Sequence, residues 1–222
     1  VLGRDPARSR ASAEAIRAAG GRAAHVTADV ADREAVTAAL GELEGALGPA
    51  AILVNNAGVL RLARLLDTSE DGWRATLDTN AAGTLWCCQA MVPGMVARGY
   101  GRVVNMASWL GKKGVPFYGA YAASKFAVIG LTQTLAAEVA GTGVTVNAVC
   151  PGLIVETLMR RQSEAEGARL GLPSTEARAR AIPLGRAGTP DDVAALTAFL
   201  ASDQSAYMTG EAVNVTGGLW TS

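Results

Sequence analysis

Residues 102–149 read RVVNM-ASWLGKKGVP-FYGAYAASKFAVIGLTQTLAAEVA-GTGV-TVNAV, and this stretch decides the fold class. The segments at 102–106 and 145–149 are mostly apolar and have the length of strands. Residues 117–140 between them are long enough for a helix that packs on a sheet. A strand, a helix and a second strand in this order are typical of a parallel sheet covered by helices.

The same alternation extends to both ends of the chain. Further strands are predicted at residues 23–27, 51–55 and 211–215, with the tail of another at Val1–Leu2. Further helices are predicted at residues 6–19, 32–47, 70–98 and 190–200, the third of them bent or broken at Pro93. We expect the strand at 51–55 to be buried because it is apolar without alternation. The sequence therefore predicts one α/β domain over residues 1–222, with a doubly wound parallel sheet in a three-layer αβα arrangement.

Composition excludes several classes of function. Twenty basic residues balance twenty acidic ones, which gives no support to nucleic-acid binding or to a polybasic membrane patch. No apolar run is long enough to span a bilayer, so a cytoplasmic location is expected by default. The three cysteines, Cys87, Cys88 and Cys150, are expected to be buried reduced thiols and not metal ligands.

Tyr121 and Lys125 are four residues apart in Tyr-Ala-Ala-Ser-Lys, and Ser108 lies thirteen residues before Tyr121. Residues four apart share one face of a helix. An isolated phenol titrates near about 10, and a neighbouring ammonium is expected to lower the pKa of Tyr121. A serine hydroxyl nearby can hold a substrate oxygen. These three residues therefore predict a proton-transfer site.

Other polar residues follow the predicted strands, at the carboxyl edge where doubly wound sheets bind ligands. They are Asp29, Asn55 with Gly58, Ser108, and Pro151 with Gly152. Each has a plain structural alternative when taken alone. Asp29 is suited to a cap, and Gly58 to a turn.

Taken together, these motifs resemble the short-chain dehydrogenases/reductases with a Tyr-x-x-x-Lys active site. The resemblance covers nearly the whole chain. Its elements are Asn55-Asn-Ala-Gly58, Asn80, Ser108 after Asn105-Met-Ala, Tyr121-Ala-Ala-Ser-Lys125, Pro151-Gly152 after Asn147-Ala-Val-Cys, and Asn214-Val-Thr-Gly-Gly218. Asn105 and Asn147 are interpreted as structural.

The resemblance implies a role for each catalytic candidate. Tyr121 would be the general acid/base and Ser108 would hold the carbonyl oxygen. Lys125 would lower the pKa of Tyr121 and bind the nicotinamide ribose. Asn80 would hold a water of the proton relay through a local irregularity of its helix, although a surface or capping role is the alternative for an asparagine.

The resemblance also implies the cofactor-binding residues. Asn55, Ala57 and Gly58 would shape the floor beneath the cofactor. Asp29 and Val30 would contact the adenine, and Ile154 would bond the nicotinamide carboxamide through its backbone. Pro151 and Gly152 belong to the same set. Thr157 lies six residues after Pro151, where the family often has a threonine at five, which puts its role in doubt.

Members of this family begin with a strand and a Thr-Gly-x-x-x-Gly-x-Gly turn that cradles a pyrophosphate. No such turn precedes Val1. We therefore expect the chain to be N-terminally truncated and to lack the first βα unit. On this expectation it leaves two interior strands without a partner, folds marginally and binds dinucleotide poorly.

The cofactor is predicted to be NADP, with NAD as the alternative. Arg4 stands near the end of the second strand of the family, where NAD-dependent members carry an acidic residue. A guanidinium can pair with a 2′-phosphate, but Asp5, one residue further on, leaves NAD open.

The substrate is expected to be a small carbonyl or secondary alcohol. Apolar residues from Trp109 to Tyr118 predict an apolar wall, and residues 156–187 a mobile substrate lid. The resemblance is nearest to 3-oxoacyl-[acyl-carrier-protein] reductases. Polyol, sugar or steroid dehydrogenases and a non-catalytic binding relative are the alternatives. The family also implies a homotetramer through its two long helices and its last strand.

Overall fold

The structure is a computed structural model, and it describes residues 1–221. Six parallel strands form two sheets, with the orders β1-β2 and β3-β4-β5-β6. The strands are β1 Leu2–Gly3, β2 Val26–Thr27, β3 Ile52–Asn55, β4 Gly101–Met106, β5 Val144–Pro151 and β6 Ala212–Val215. The predicted α/β fold with a parallel sheet is confirmed.

Eight α-helices connect the strands. They are α1 Pro6–Ala18, α2 Arg33–Leu47, α3 Glu70–Leu77, α4 Gly83–Arg98, α5 Gly119–Glu138, α6 Leu158–Arg169, α7 Thr175–Ala179 and α8 Pro190–Leu200. Asp32 caps α2 as predicted, because its carboxylate accepts from the Glu34 and Ala35 amides at 3.0 Å each. Within residues 1–221, no helix has the length and apolar character needed to cross a membrane.

The larger sheet is covered on both faces. Neighbouring side chains of a strand point to opposite faces, and Val103 and Val104 on β4 show this. Val103 packs in a cluster with residues of α2, α4 and α5, whereas Val104 packs with Leu200 of α8. The helices therefore form the two outer layers of the predicted αβα arrangement.

The two sheets are separated by a gap along the free edge of β3. Ile52 and Val54 are 47% and 42% exposed there, so the expectation of a buried strand is wrong for β3. The physical reason is that β3 pairs with β4 on one edge only. That a strand is missing between the sheets stays a prediction.

The predicted helix at 70–98 is divided in the structure. Residues Asp78–Ala82 form a π-helical turn between α3 and α4. Pro93 lies inside α4 without ending it, so the expected break at Pro93 is wrong. The irregularity comes fifteen residues before Pro93 and places Asn80 in the turn.

Candidate active site

The catalytic candidates lie around one cavity at the carboxyl edge of the larger sheet. β4 ends at Met106, and Ser108 follows it as the cap of a short 3₁₀ turn, accepting from the Leu110 amide at 3.2 Å. Tyr121 and Lys125 lie one turn apart in the first half of α5. Ser108, Tyr121 and Lys125 all line the same cavity of about 690 Å³.

All three side chains are buried. Ser108 is 5%, Tyr121 8% and Lys125 3% exposed. The Lys125 Nζ atom donates to the Met106 carbonyl at 2.6 Å and lies 5.6 Å from the centre of the Tyr121 ring. The ammonium is therefore held by the end of β4, beside the phenol.

Burial dominates the acid–base properties of this group. Desolvation raises the pKa of Tyr121 to about 12, and a hydrogen bond with Ser108 and the charge of Arg160 oppose that rise. Desolvation likewise lowers the pKa of Lys125 to about 8. The expected lowering of the Tyr121 pKa is wrong for this structure, because the cost of burying a phenolate exceeds the attraction of nearby cations.

Asn80 is 1% exposed and ties the π-helical turn to the loop after β3. Its Oδ1 atom accepts from the Val59 amide at 2.8 Å, and its Nδ2 atom donates to the Val59 carbonyl and to Ser124 Oγ, each at 2.9 Å. The predicted helix irregularity is present. Surface exposure, the alternative for this asparagine, is wrong. Its part in a proton relay stays a prediction.

The loop after β3 forms the floor of the groove. The backbone of Gly58 lies close to Asn80 and Lys125. A Cβ atom at this position would lie 3.3 Å from Asn80 Oδ1 and 3.7 Å from Lys125 Nζ. Ala57 lines the groove beside it. The Asn55 side chain points elsewhere, donating to Asn105 Oδ1 at 2.9 Å, so it braces β3 against β4.

The far end of the groove holds the residues expected around adenine and ribose. Arg4 and Val30 line a cavity of about 800 Å³ there. The Asp29 carboxylate accepts from the Ala31 amide at 3.0 Å and pairs with Arg4 at 3.4 Å, both side chains being largely exposed. The capping role that was the alternative for Asp29 is thus observed, and an adenine contact stays a prediction.

The segment after β5 forms the wall opposite Tyr121. Pro151, Gly152, Ile154 and Thr157 all line the catalytic cavity. Gly152 is required by packing, because a Cβ atom would lie 3.0 Å from the Thr216 α-carbon. Thr157 caps α6 by accepting from the Arg160 amide at 3.1 Å. The wall therefore joins the sheet to α6, which lies in the segment predicted to be the lid.

The backbone of Ile154 is oriented toward the cavity. Gly188 forms backbone hydrogen bonds with the two neighbours of Ile154. The Gly188 amide donates to the Leu153 carbonyl at 2.9 Å, and the Gly188 carbonyl accepts from the Val155 amide at 2.9 Å. The N–H and C=O of Ile154 itself consequently point away from Gly188, and the carbonyl accepts from Arg160 Nε at 3.4 Å. These are the groups that a planar carboxamide needs as partners.

Two residues on either side of the site have left-handed backbone conformations. Phe117 has φ of 73° before α5, and Glu156 has φ of 61° before α6. Non-glycine residues adopt such angles at a cost, and such strain concentrates at functional sites. Glu156 directly precedes Thr157, which both caps α6 and lines the cavity.

Several lining residues were not among the predicted site residues. Arg160 on α6 and Arg178 on α7 enter the catalytic cavity together with Met159. Ser124 was also missed, although it lies between Tyr121 and Lys125 and bonds to Asn80. The apolar wall was predicted, and Leu110 and Tyr118 pack there against Tyr121.

The residues present fit an extended dinucleotide. The two cavities share Asn56, Gly58, Leu60 and Met159, so they form one groove from Arg4 to Tyr121. Its floor passes over Gly58, where a Cβ atom would be in tight contact with Asn80, and the Ile154 backbone lies at the catalytic end. A cation lies at the opposite end.

Comparison with known proteins shows which sequences are similar to this chain. A protein-family model described as Enoyl-(Acyl carrier protein) reductase matches residues 2–220. An "Inactive 2-(S)-hydroxypropyl-CoM dehydrogenase 2" of Xanthobacter autotrophicus is 42% identical over 99% of this chain and 93% of the relative. A 3-oxoacyl-[acyl-carrier-protein] reductase, FabG, of Staphylococcus aureus is 37% identical over 96% of this chain and 83% of the relative. A galactitol 2-dehydrogenase (L-tagatose-forming) of Cereibacter sphaeroides is 42% identical over 88% of this chain and 75% of the relative.

Solved structures of enzymes with related names are also similar to this chain. A gluconate 5-dehydrogenase from Burkholderia cenocepacia in complex with NADP and tartrate superimposes with a TM-score of 0.89 at 33% identity, covering 99% of this chain and 84% of that one. An actinorhodin polyketide ketoreductase variant with NADPH gives a TM-score of 0.92 at 33% identity, covering 99% and 86%.

Proposed function

This chain belongs to the short-chain dehydrogenase/reductase family of oxidoreductases, which act on carbonyl and CH–OH groups, and we propose that it reduces a ketone to a secondary alcohol with NADPH. One observation carries the proposal. Ser108, Tyr121 and Lys125 are buried around a single cavity that continues into a groove with a glycine floor.

The reaction adds two hydrogens to the carbonyl. When bound, NADPH supplies the hydride that the carbonyl carbon accepts. The Tyr121 hydroxyl gives its proton to the carbonyl oxygen, and Ser108 donates a hydrogen bond to that oxygen as it gains negative charge. Lys125 keeps a cation beside the phenolate that remains until a proton returns from solvent.

The pKa of Tyr121 sets its protonation state in the pocket. A proton donor must hold its proton until the transition state, and burial raises the pKa of Tyr121 to about 12. Tyr121 is thus protonated at neutral pH. Oxidation of an alcohol by the same residue would first require an unfavourable phenolate, so we expect it to be favoured only at higher pH.

NADP is the proposed carrier in preference to NAD. Arg4 lies at the far end of the groove, with its guanidinium exposed and paired weakly with Asp29 at 3.4 Å. Such a side chain can turn to meet a 2′-phosphate. The solved relatives with NADP and NADPH support this choice.

The direct test is Tyr121→Phe in the protein expressed from its complete gene. Removing the proton donor should lower kcat for a ketone by about 10²- to 10⁴-fold. Tyr207→Phe is the matched control, because Tyr207 is fully exposed and far from the groove, and it should keep the parental rate. A Tyr121→Phe protein with the parental kcat would overturn the proposed chemistry.

A polyol or sugar dehydrogenase is the second candidate, and the galactitol and gluconate enzymes among the relatives favour it. A panel of 3-oxoacyl thioesters, simple ketones and polyols separates it from a 3-oxoacyl reductase. A non-catalytic relative is a third candidate, since one similar protein is named inactive. The intact buried group of Ser108, Tyr121 and Lys125 counts against it.

We further propose a homotetramer built through α4, α5 and β6. A groove lined by α4 and α5 residues lies open on the surface, and Phe126 of α5 is 48% exposed. Exposed apolar surface of this kind is typical of an interface. Light scattering should report four chains, whereas a stable monomer would contradict the proposal.

A further inference from the structure

The catalytic cavity is lined by basic side chains that the proposed chemistry does not use. Among the described residues that line it, Lys125, Arg160 and Arg178 are charged, and none is acidic. Lys125 already has a role beside Tyr121. The two arginines come from the lid segment, Arg160 from the first turn of α6 and Arg178 from α7.

Arg160 is only partly exposed and faces the reacting group. Its Nε atom lies 3.4 Å from the Ile154 carbonyl, which is a long hydrogen bond. Arg160 and Tyr121 line the same cavity, and the charge of Arg160 opposes the rise of the Tyr121 pKa. Burial and the charge of Arg178 lower the pKa of Arg160, which means that the two guanidiniums are near each other and imperfectly solvated.

Arg178 stands on the other side of Tyr118. Its guanidinium carbon lies 5.8 Å from the centre of the Tyr118 ring. The Tyr118 hydroxyl is buried, and its side-chain hydrogen bond with Arg160 opposes the lowering of the Arg160 pKa. Tyr118 thus interacts with both guanidiniums, and all three side chains line the cavity, where their N–H and O–H groups would meet a ligand that accepts hydrogen bonds.

Carboxylates of the protein balance the positive charges of Arg160 and Arg178 only in part. Glu164 is the carboxylate that interacts with both arginines. Its Oε1 atom accepts from the Thr175 amide at 2.9 Å, and it forms no salt bridge with either arginine in residues 1–221. One carboxylate against two guanidiniums leaves a net positive charge at the wall of a half-enclosed cavity.

We propose that the substrate is a ketone carrying an oxyanion, a carboxylate or a sulfonate, which Arg160 and Arg178 bind while Ser108 and Tyr121 hold the carbonyl. This rests on the proposed reductase function and adds the class of substrate. Guanidiniums pair well with planar carboxylates and with sulfonates through parallel hydrogen bonds. Because both arginines lie on lid helices, the anion also ties the lid to the substrate.

The test compares charged and neutral forms of one ketone in the protein expressed from its complete gene. The probes are levulinate, its methyl ester and the sulfonate analogue of levulinate, each with NADPH. We expect kcat/KM for at least one anion to exceed that of the ester by about 10- to 100-fold, as hydrogen bonds to charged groups are lost in the ester. The carboxylate and sulfonate arms distinguish the two anions.

Variants assign the preference to the two arginines. Arg178→Met should lower kcat/KM for the preferred anion by about tenfold or more, leave the ester within about twofold and leave the KM for NADPH unchanged. Arg160→Met should lower the ratio of anion to ester kcat/KM by about tenfold or more, while its ester rate and its KM for NADPH also change, because Arg160 contacts Ile154 and acts on Tyr121. Arg161→Met and Arg180→Met are the matched controls, because both arginines are exposed neighbours of the pair, and they should behave as the parent.

The outcomes separate the two proposals. If no carbonyl compound is reduced with NADPH, the reductase function is wrong. If kcat/KM for the ester equals that for both anions, and neither anion competitively inhibits ester reduction, the reductase function stands and the oxyanion site is wrong. The same conclusion follows if Arg178→Met and Arg160→Met lower ester and anion turnover equally. Inhibition by the anions needs no variant, so a misfolded variant cannot hide the answer.

Discussion

The catalytic edge and the predicted lid, residues 156–187, differ in what holds them in place. Ser108, Tyr121 and Lys125 are no more than 8% exposed and rest on the ends of β4 and α5. In contrast, α6 and α7 bury only small residues, and Arg160 and Arg178 are partly exposed among other charged side chains. The core therefore holds the catalytic candidates in place, whereas we expect the predicted lid to change its conformation with the substrate.

This difference has a consequence for stability. Segments with few buried apolar contacts open locally at low free energy, whereas core elements open only with the whole domain. We expect amide exchange to be fast in α6 and α7 and slow in β4 and in the first half of α5.

The largest expected effect comes from the catalytic edge. Ser108→Ala removes a hydroxyl that stabilises charge on the carbonyl oxygen, so kcat should fall by about 10²- to 10³-fold for every substrate. Steady-state rates across a panel of ketones measure it. Ser202→Ala, at the half-buried cap of a 3₁₀ turn that lines neither cavity of the groove, is the control that should leave the rates unchanged. A fall in kcat for one substrate alone would show that Ser108 selects the substrate and does not take part in the chemistry.

The next effect is a dependence on pH that only the buried edge can produce. Burial lowers the pKa of Lys125 to about 8, so Lys125 is a cation below that pH and becomes neutral above it. The kcat/KM for NADPH, which reports ionisations of the free enzyme, should therefore fall about tenfold per pH unit above about 8.

Lys125→Met should give a low and flat profile over the same range, whereas Lys113→Met, at an exposed lysine, should keep the falling limb. A parental profile that stays level to pH 10 would show that the Lys125 charge has no part in cofactor binding.

A smaller effect is expected on stability. Asn80→Ala leaves the Val59 amide and carbonyl without their partners, which should lower the free energy of unfolding by about 2 kcal/mol. Denaturant titration measures it, and Asn56→Ala, at an exposed asparagine, is the control. If the Asn80→Ala protein is as stable as the parent, the π-helical turn does not depend on this side chain.

The smallest effect is expected at the exposed far end of the groove. Arg4→Ala should lower the ratio of NADPH to NADH efficiency by about five- to tenfold, since an exposed charge contact contributes little. Arg10→Ala, on the exposed part of α1, should not change it. An unchanged ratio in Arg4→Ala would remove Arg4 from the cofactor site.

Much of the fold was predictable because helices and strands alternate clearly along the chain. The failures have local physical causes. The apolar run at residues 51–55 predicted a buried strand, but β3 has a free edge and is partly exposed. The sequence of a strand does not tell whether a second strand pairs with each of its edges. Pro93 is a general helix breaker, yet α4 continues through it, whereas the true irregularity follows from Asn80 bonding outside its helix.

The site was predictable where a local motif carries it. Tyr121, Lys125 and Ser108 follow from spacing and strand ends. Arg160 and Arg178 were not, because they are eighteen residues apart in a polar segment and meet only through the packing of α6 and α7. The direction of the Tyr121 pKa shift also depends on burial, which spacing does not report.

The division between edge and lid is tested most directly by one quantity, the ratio of kcat/KM for the preferred anionic ketone to that for its neutral ester. Measured in Ser108→Ala and in Arg178→Met, the ratio should stay at the parental value in the first protein and fall about tenfold or more in the second. A ratio that falls in Ser108→Ala, or that stays unchanged in Arg178→Met, would contradict the account.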